Sequence, residues 1–346
     1  MLDVYFYEAF DEEADCLRAL LPAGIRADFT WKTIQEMGHR EPPARLISLR
    51  TQSLLPAGWG AGGARGEVGG GAQGGAPGSA SDRGKLDGLL SRTTGYDHLL
   101  RHRAAMQADL PCGYLPLYCN RAVAEQALTL WMALLRRLPL QVEKFARFDR
   151  NGLTGRECAG KTLVVVGVGN IGSEVARIGQ GLGMRVIGVD LVRKHDFVHY
   201  EAIEEALPQA DIVVCAMNLT AENAGYFSES RLKQAPRGAI FVNVARGEIS
   251  PAGGLLALIE SGHLAGVGLD VYNHESELAV TLRAGGSSDD PEVDAVLALA
   301  RHTNAILTPH NAFNTTESVE RKARQSVQQV EAFLRTGAFV WPVPET

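Results

Sequence analysis

A glycine-rich turn that joins a short apolar run to an amphipathic segment restricts the fold of this chain more than any other feature. Residues 163–166 read LVVV, residues 167–172 read GVGNIG, and a second apolar run, residues 186–189, ends at Asp190. An apolar run rich in β-branched residues, with no polar alternation, is typical of a parallel strand buried on both faces. The stretch therefore predicts a strand, a tight turn, a helix and a second parallel strand.

The glycines of this turn and the acid beyond it have separate tasks in a dinucleotide-binding unit. Gly167 permits the tight turn, Gly169 lets a pyrophosphate approach the backbone, and Gly172 lets the helix pack close to the strand. The helix N-terminus offers N–H groups to the phosphates. Asp190 follows roughly 20 residues later, where a carboxylate can accept hydrogen bonds from ribose hydroxyl groups. The stretch predicts a dinucleotide site, and a turn without ligand is the alternative.

Composition limits the classes of protein that the chain can represent. Its 346 residues predict about two domains, and 45% hydrophobic residues are enough for two cores. The 40 acidic residues outnumber the 34 basic ones, which argues against a general binder of nucleic acids or acidic membranes. No apolar run approaches the roughly 18 residues of a membrane span, and the N-terminus is acidic where a signal peptide is basic. Five scattered cysteines without a CxxC pair predict reduced thiols in a cytoplasmic protein, and we predict no metal site.

Apolar runs divide the chain into two regions of strands and helices. In the N-terminal region, strand-like runs lie at residues 2–7, 25–29, 46–49, 88–92 and 114–118. From residue 162 onward, strands are predicted at residues 162–167, 185–190, 211–217, 239–245, 266–270 and 305–308, with helices between them. Six strands with helical crossovers predict a parallel, doubly wound sheet.

Four helices and one insertion complete the predicted organisation. A helix over residues 123–138 should end before Pro139, and a helix over residues 251–261 should be capped by Ser250. The last helix is predicted from Thr315 to Leu334, and an acidic helix near residues 11–20. Residues 57–85 contain 12 of the 38 glycines and few large apolar side chains, so we predict a flexible surface insertion there.

Ionisable residues follow the last three predicted strands. Arg246 comes after the fourth strand of the second region, Glu275 after the fifth, and His310 after the sixth. Ligands of open parallel sheets bind outside the carboxyl ends of the strands, so these side chains should share one rim with the glycine turn. Arginine can hold a carboxylate with two parallel hydrogen bonds, and histidine can exchange a proton with an alcohol or ketone. A nearby glutamate would orient the imidazole and favour its protonated form.

Each of these residues also has an ordinary structural interpretation. Arg246 and Glu275 could be solvated surface charges, His310 a satisfied loop histidine, and Asp270 a turn cap. The combination favours catalysis, because three separate loops would otherwise deliver suitable residue types by accident. His274, next to Glu275, is the one competing histidine, and we rank it below His310 because its loop is longer.

Six motifs together resemble the D-isomer-specific 2-hydroxyacid dehydrogenase family, and within it the D-lactate dehydrogenase-like branch. They are SRTTGYDHL (91–99), LPLYCNRAVAE (115–125), GVGNIG (167–172), NVARGE (243–248), GLDVYNHE (268–275) and TPHNAFNT (308–315). The resemblance covers nearly the whole chain apart from the glycine-rich insertion. It implies NAD-dependent interconversion of a small D-2-hydroxy acid and its 2-keto acid, of the kind of D-lactate and pyruvate.

The resemblance also implies an architecture and an assembly. The fold would be α/β, with two Rossmann-like or flavodoxin-like doubly wound parallel-sheet domains and a cleft between them. Residues 1–119 and 312–346 would form a discontinuous substrate-binding domain, and residues 120–311 the NAD-binding Rossmann domain. The family is usually dimeric through the helix that corresponds to residues 123–138, so a homodimer is expected.

Residue roles follow from the same resemblance. Arg246 would anchor the substrate carboxylate, His310 would act as acid and base, and Glu275 would be its partner. Beside the three glycines, the implied cofactor contacts are Asn170, Ile171, Asp190, Met217, Asn218, Asn223, Val244, Ala245, Arg246, Asp270 and His310. Thr94, Gly95 and Tyr118 would face the substrate together with Arg246.

Some features leave alternatives open. Phe313 stands where lactate enzymes often carry tyrosine, so a hydroxyl contact to the substrate is not expected from it. Asp190 favours NAD over NADP because its charge repels a 2′-phosphate, although Arg193 and Lys194 lie nearby. A catalytically silent NAD(H)-sensing protein or corepressor is one alternative function. A formate- or phosphite-type dehydrogenase of the same superfamily is another.

Overall fold

The computed structural model describes residues 2–59, 86–106 and 110–344. The chain divides into two compact units, residues 1–118 with 316–346, and residues 119–315. The predicted insertion at 57–85 lies outside the described residues, except for a short 3-10 turn at Ala57–Trp59. Among the described residues, no helix is both long enough and apolar enough to cross a bilayer.

The first unit is a five-stranded sheet with helices. Its strands are β1 (Leu2–Phe6), β2 (Ala27–Phe29), β3 (Ala44–Leu49), β4 (Gly88–Ser91) and β5 (Cys112–Gly113). Its helices are α1 (Asp11–Leu20), α2 (Ile34–Met37), α3 (Asp97–Met106) and the C-terminal helix (Thr316–Thr336). The strands run parallel in the order β2-β1-β3-β4-β5, which is the order of flavodoxin-like folds.

The second unit is a seven-stranded parallel sheet in the order β12-β11-β10-β9-β6-β7-β8. Its strands are β6 (Thr162–Val166), β7 (Arg185–Val189), β8 (His199–Tyr200), β9 (Ile212–Cys215), β10 (Ala239–Asn243), β11 (Leu264–Leu269) and β12 (Ala305–Leu307). Its helices are α4 (Asn120–Leu135), α5 (Leu138–Phe145), α6 (Asn170–Gly181), α7 (Ile203–Ala206), α8 (Glu229–Leu232), α9 (Ala252–Glu260), α10 (Glu275–Ala284) and α11 (Pro291–Leu299). The predicted α/β fold class with two doubly wound parallel sheets is confirmed.

The central strands of the second unit explain why its core is stable. Every residue of β6, β9 and β10 is buried, as expected for parallel strands covered on both faces. Phe241 of β10 packs against Phe227, with ring centroids 4.9 Å apart. Each fully buried aliphatic or aromatic side chain contributes about 1.5–3 kcal/mol relative to exposure. The unbroken apolar runs are therefore the main source of the sheet's stability.

Three local predictions were wrong, each for an identifiable reason. The strand predicted at 114–118 is instead β5, because Tyr114 donates its N–H to the carbonyl of Trp341 and leaves the sheet ladder. The helix predicted over 123–138 breaks after Leu135, where Arg137 has a φ of 52°, and Pro139 lies in the first turn of α5 instead.

The third error concerns the start of α9. Ser250 does not cap this helix, because its hydroxyl accepts a hydrogen bond from Nδ2 of Asn243 at 2.7 Å. The first N–H of α9, at Ala252, donates to the Glu292 carboxylate at 2.9 Å instead. An acceptor from a neighbouring helix thus replaces the predicted local cap.

The register of the second sheet aligns the carboxyl ends of its strands in one row. Val189, Val166, Cys215, Asn243, Leu269 and Leu307 are successive partners across neighbouring strands. Neighbouring strands lie about 4.8 Å apart, so the loops that follow these residues start side by side. β6 is the switch point, since the chain goes from it to β7 on one side and β9 lies on the other.

Candidate active site

The glycine turn after β6 has the conformation that its sequence predicts. Gly167 has a φ of 88°, and a Cβ there would lie 2.5 Å from the backbone of Met217. A Cβ on Gly172 would lie 1.9 Å from the carbonyl oxygen of Gly167. The folded protein itself therefore requires glycine at both positions.

Gly169 differs from the other two glycines, because no described part of the protein lies close to a Cβ built there, and this difference bears on whether a dinucleotide fits here. A Cβ on Gly169 would meet no atom within 4 Å, and its φ is −80°, although its ψ of −147° lies outside the regular helical and extended regions. No neighbouring atom of the described residues excludes a side chain there, whereas a pyrophosphate approaching the backbone would. The 12-residue helix α6 begins at the next residue, Asn170, and no side chain caps its first turn. Asn170 and Ile171 lie in that first turn, and the site fits a dinucleotide.

Asp190 directly follows β7 and binds the glycine turn. One carboxylate oxygen accepts the Val168 N–H at 2.6 Å, and the other accepts the Val192 N–H at 3.0 Å. These bonds aim the carboxylate at the rim beside the turn. Carboxylate oxygens have further lone pairs, so Asp190 can also accept bonds from a ribose diol. Arg193 and Lys194 follow on the exposed side of the same loop.

The loop after β9 contains three of the predicted cofactor contacts. Asn223 closes this loop, since its Nδ2 donates to the carbonyl of Asn218 at 2.7 Å and its Oδ1 accepts the Thr220 N–H at 2.8 Å. The backbone of Met217 faces Gly167. Met217, Asn218 and the glycine turn therefore lie together, as the order of β6 and β9 requires.

Arg246 is held by a buried asparagine at the end of β10. The Asn243 Nδ2 donates to the carbonyl of Arg246 at 2.8 Å, and its Oδ1 accepts the Ala245 N–H at 2.9 Å. The Val244 N–H donates to the carbonyl of Cys215 at 3.3 Å, which joins this loop to β9. Val244, Ala245 and Arg246 thus follow directly from a hydrogen-bonded strand end, and Arg246 is half-buried.

The loops after β10 and β11 are in direct contact. A Cβ on Gly247 would lie 1.8 Å from the carbonyl carbon of Tyr272, so only glycine fits next to Arg246. The Tyr272 hydroxyl lies 2.8 Å from the carbonyl oxygen of Thr308 and 3.1 Å from that of Leu269. Tyr272 therefore connects the loop of Arg246 to the loop that leads to His310.

Asp270 fixes the loop that carries His310. It is 1% exposed, and it accepts hydrogen bonds from the Thr308 hydroxyl at 2.5 Å and from the N–H groups of Asn311 and Ala312 at 2.8 Å each. Burial raises the pKa of Asp270, and the nearby His310 and these donors oppose that rise. Both oxygens serve the loop, so the structure assigns Asp270 a positioning role, and its predicted cofactor contact stays a prediction.

His310 and Glu275 form the predicted pair. The His310 Nδ1 lies 2.8 and 3.0 Å from the two carboxylate oxygens of Glu275, and both side chains are 18% exposed. His310 has a φ of 49°, a strained conformation for a residue other than glycine. Asp270 holds the residues on both sides of it. Because Nδ1 donates to the carboxylate, Nε2 is the nitrogen left for proton exchange.

His274, the competing histidine, has a different partner. Its Nδ1 lies 2.5 Å from the carboxylate of Asp290, and its side chain is 51% exposed. Asp290 also caps α11 through the N–H groups of Glu292 and Val293. His274 therefore belongs to a surface pair, which supports the ranking of His310 above it.

The predicted substrate contacts Thr94, Gly95 and Tyr118 lie in the first unit. Thr94 and Gly95 form the half-buried turn after β4. Tyr118 is buried, and its carbonyl accepts hydrogen bonds from the Arg321 Nε at 2.8 Å and the Ser318 hydroxyl at 3.2 Å. Their contact with a substrate stays a prediction.

Sequence reasoning missed two residues that hold this site. Asn243 and Tyr272 bind the loops of Arg246 and His310, and neither was singled out. Asn243 is the only polar residue of β10, at the carboxyl end of the apolar run AIFV, and this placement was an available signal. The role of Tyr272 depends on a hydroxyl partner 36 residues away, which no local pattern shows.

Comparison with known proteins agrees with the geometry. The family model described as D-isomer specific 2-hydroxyacid dehydrogenase, NAD binding domain, matches residues 128–312. The D-lactate dehydrogenase of Streptococcus pyogenes serotype M1 is 30% identical over 240 residues, 67% of this chain and 72% of that protein. The D-2-hydroxyacid dehydrogenase (NAD+) of Lacticaseibacillus paracasei is 30% identical over 255 residues, 72% of this chain and 75% of that protein.

A solved structure supports the fold. The D-lactate dehydrogenase of Aquifex aeolicus, crystallised with NAD and lactic acid, superposes with a TM-score of 0.78, covering 99% of this chain and 100% of that one. At 24% identity this likeness is evidence for the fold alone. The family model covers more than half of the chain, including the glycine turn and the loops of Arg246, Glu275 and His310. This chain therefore belongs to the D-isomer-specific 2-hydroxyacid dehydrogenase family, and NAD is its cofactor.

Proposed function

We propose that this protein interconverts a small D-2-hydroxy acid and its 2-keto acid, with D-lactate and pyruvate as the simplest pair. The observation that carries the proposal is the His310–Glu275 pair. The two loops that carry it begin beside the loop of Arg246, and all three lie on the same rim of the sheet as the dinucleotide turn. The D-lactate dehydrogenase of S. pyogenes is a relative whose name states this substrate. Phe313 has no hydroxyl to offer a substrate, so we propose no polar contact at that position.

His310 moves the proton in this scheme. When a 2-keto acid is reduced, the protonated imidazole donates the Nε2 proton to the keto oxygen, and in the reverse direction Nε2 accepts the hydroxyl proton. Glu275 holds Nδ1–H throughout, which keeps the ring oriented and stabilises its positive charge. General acid catalysis of this kind contributes roughly two to four powers of ten to the rate.

Arg246 orients the substrate. Its guanidinium can hold a carboxylate with two parallel hydrogen bonds, and Gly247 and Asn243 hold its backbone on a rigid strand end. This places the keto carbon at a fixed angle to His310, and such orientation is a large source of rate. Thr94, Gly95 and Tyr118 are the proposed substrate contacts of the first unit.

The cofactor would be held by residues along one rim of the second sheet. They are Gly167, Gly169, Asn170, Ile171, Gly172, Asp190, Met217, Asn218, Asn223, Val244, Ala245 and Asp270. Bound NAD supplies or accepts the hydride of the reaction. We propose a preference for NAD over NADP, because the fixed carboxylate of Asp190 repels a 2′-phosphate.

The decisive experiment replaces His310 with alanine and assays small 2-keto acids with NADH. We expect kcat to fall by roughly a hundredfold to ten-thousandfold, because the acid catalyst is lost. The matched control is His274→Asn, which changes the competing histidine and keeps a residue that tolerates its left-handed backbone, φ 53°. Turnover by His310→Ala at the wild-type rate, or an equal loss in His274→Asn, would refute the assignment.

We also propose a homodimer that uses the surface next to α4. The helix α5 buries none of its residues, and Leu138, Val142, Phe145 and Phe148 are all exposed along it and just beyond it. The spacing of four and three residues places Leu138, Val142 and Phe145 on one helical face, and Phe148 follows just beyond the end of the helix. An apolar face of this size on a surface helix is typical of a protein interface. Sedimentation of Val142→Glu should show monomers where the wild type shows dimers.

A cytoplasmic location is the last part of this proposal. All five cysteines are free, and four of them are buried. Unpaired thiols at this number favour a reducing compartment.

A further inference from the structure

A chain of buried side chains lies beneath the turn that contains Thr94 and Gly95. Ser91 is the last residue of β4, Thr93 begins the turn, and His98 lies in the first turn of α3. Their exposed fractions are 0%, 6% and 2%. Buried polar side chains in an apolar core are costly unless they are hydrogen-bonded, so each of these three is expected to have a hydrogen-bond partner.

These three side chains form a continuous hydrogen-bonded relay that ends on the backbone. The His98 Nε2 lies 2.9 Å from the Ser91 hydroxyl, and the Ser91 hydroxyl lies 2.6 Å from the Thr93 hydroxyl. The Thr93 hydroxyl donates to the carbonyl oxygen of Gly95 at 2.6 Å. The relay thus connects a histidine of α3 to the carbonyl of a turn glycine.

The direction of every hydrogen in this relay follows from its last acceptor. A carbonyl oxygen can only accept, so the single hydroxyl hydrogen of Thr93 is used on Gly95. The bond between the two hydroxyls must then be donated by Ser91. Since the Ser91 hydrogen is used on Thr93, the His98 Nε2 must carry a hydrogen and donate it to Ser91. The geometry thus requires a hydrogen on Nε2 of His98.

We propose that His98, Ser91 and Thr93 are positioning residues that set the orientation of the Thr94–Gly95 backbone for the substrate carboxylate. This inference rests on the proposed function, in which that backbone faces the substrate. Glycine has more backbone freedom than any other residue, so an anchor on the Gly95 carbonyl restricts the one residue of the turn that would otherwise move most. A prepared donor group binds its ligand without a further ordering cost.

The ends of the turn do not depend on the relay. The Arg92 N–H donates to the carbonyl of Leu49 at 2.9 Å, and the Leu115 N–H donates to the carbonyl of Thr93 at 3.1 Å. These bonds hold β4 and the start of the turn by backbone contacts alone. Loss of a relay hydroxyl should therefore change the orientation of Gly95 while the sheet stays folded.

The first experiment compares Thr93→Val with Thr93→Ser. Valine keeps the branched shape without the hydroxyl, and serine keeps the hydroxyl. We expect the KM for pyruvate to rise roughly tenfold in Thr93→Val, the factor for one orienting hydrogen bond, and to stay near the wild-type value in Thr93→Ser. The dissociation constant of NADH, followed by its fluorescence, should stay within about twofold in both, because its proposed contacts lie in the second unit. A KM that does not change, or an NADH constant that rises in parallel, would overturn the proposal.

The second experiment tests the donor at His98. Glutamine at this position offers an amide N–H near the place of Nε2, whereas leucine of similar size offers none. We expect His98→Gln to keep most of the wild-type kcat/KM for pyruvate and His98→Leu to lose roughly tenfold, through KM. Equal behaviour of the two variants would contradict the relay.

A third measurement separates this inference from the proposed function. In 15N-labelled protein, the side-chain spectrum of His98 should show hydrogen on Nε2, whether or not the enzyme turns over. A tautomer with hydrogen only on Nδ1 overturns the relay. Absence of turnover by the wild type with every 2-keto acid counts instead against the proposed function.

Discussion

The carboxyl ends of the two parallel sheets carry ionisable groups in opposite environments. In the second unit, Arg246, Glu275 and His310 are half-buried, and on the same rim no atom of the described residues lies within 4 Å of a Cβ built on Gly169. In the first unit, Arg92 follows β4 and is 0% exposed, and it binds a carboxylate that is also 0% exposed. Ionisable groups that can reach water can meet a ligand, whereas fully buried ones can only act on the protein. The comparison teaches that burial, and not residue type, separates chemistry from positioning here.

The buried cluster of the first unit joins three elements. The carboxylate of Glu13, in α1, lies 2.8 Å from the Arg92 Nε and 2.8 Å from the Nζ of Lys322, in the C-terminal helix. Arg92 also donates to the Ser48 hydroxyl at 3.0 Å and to the carbonyl of Tyr7 at 2.6 Å. Burial alone would raise the pKa of Glu13, but Arg92 and Lys322 outweigh it and hold that pKa at about 2.

The largest effect on activity, apart from loss of His310 itself, should come from Glu275→Gln. The amide cannot stabilise an imidazolium, and loss of the carboxylate partner of a catalytic histidine costs about 10⁴ in kcat in serine proteases. Because the pair here is partly exposed, we expect a loss of at least about a hundredfold in kcat, measured with NADH and pyruvate. The free energy of unfolding should change little, because the His310–Glu275 pair is partly exposed, unlike the fully buried pair of the first unit.

Glu277→Gln is the matched control for this variant. Glu277 lies on the same helix and is exposed, and its partner is the Ser288 hydroxyl. We expect its kcat to match the wild type. A similar loss in both variants would show that α10, rather than the Glu275 carboxylate, is what the reaction needs.

In the first unit, Glu13→Gln should act on stability instead. It leaves Arg92 and Lys322 buried without their counter-charge, and breaking a buried ion pair on one side costs about 3–5 kcal/mol in the free energy of unfolding. Asp87→Asn is the control, since its partner Arg45 is 55% exposed at a distance of 2.7 Å and such pairs contribute about 1 kcal/mol or less. Urea unfolding followed by circular dichroism measures both. Equal costs would break the distinction between buried and exposed pairs.

The same carboxylate predicts how stability depends on acid. The pKa of Glu13 is lowered from 4.5 to about 2 in the folded chain, so its contribution is complete above pH 4.5. It is lost as the pH falls from about 4.5 to about 2, an amount of roughly 3 kcal/mol. Glu13→Gln should lack this part of the acid transition. An unchanged dependence of its unfolding free energy on pH in this range would refute the assignment.

Two glycines of the turn after β6 allow folding and NADH binding to be separated within the second unit. Gly172→Ala should destabilise the unit, because its Cβ would meet the Gly167 carbonyl oxygen at 1.9 Å. Gly169→Ala should fold normally, because its Cβ would meet nothing within 4 Å, yet weaken NADH roughly tenfold by crowding the pyrophosphate. Thermal unfolding and NADH fluorescence titration separate the two effects. Normal NADH affinity in Gly169→Ala would show that the open space has another use.

The comparison also explains how much the sequence could predict. The dinucleotide turn is contiguous, and its strand, glycines and acid follow one another within residues 162–190, so a local pattern was sufficient. Arg246, Glu275 and His310 were predictable because a parallel sheet brings the carboxyl ends of its strands to one rim. In both cases, local sequence and one rule of topology contain the information.

The buried groups of the first unit had no such signal. Glu13 lies in an acidic helix, DEEADCLRAL, where its neighbour Glu12 is exposed, and its partner Arg92 is 79 residues away. A partial signal was present, because Glu13 shares a helical face with the buried Leu17. Which charge would meet it there depends on packing of distant elements, and one sequence does not show that.

The smallest effect on stability should come from Lys322→Met, which removes the second cation beside the Glu13 carboxylate. Burial lowers the pKa of Lys322 from 10.5 to about 7, against the attraction of Glu13, so the ammonium gains little from its site. Arg92 can hold the Glu13 carboxylate alone, and methionine fills a similar volume between the rings of Phe10 and Tyr118, 5.6 and 5.9 Å from the Nζ. Replacing a buried charge by an apolar side chain of similar size is often neutral, so we expect a change of at most about 1 kcal/mol near pH 7.

The dependence of unfolding free energy on pH should differ between the wild type and this variant. Between pH 7 and pH 10.5 the unfolded chain binds a proton at Lys322 that the folded chain does not, so wild-type stability should rise with pH in that range. Lys322→Met should lack this rise. If it instead lost as much stability as Glu13→Gln at pH 7, the lysine rather than the arginine would be the necessary partner of Glu13. The rim of the first unit would then depend on its C-terminal helix, whose charge responds to pH, rather than on an arginine whose charge does not.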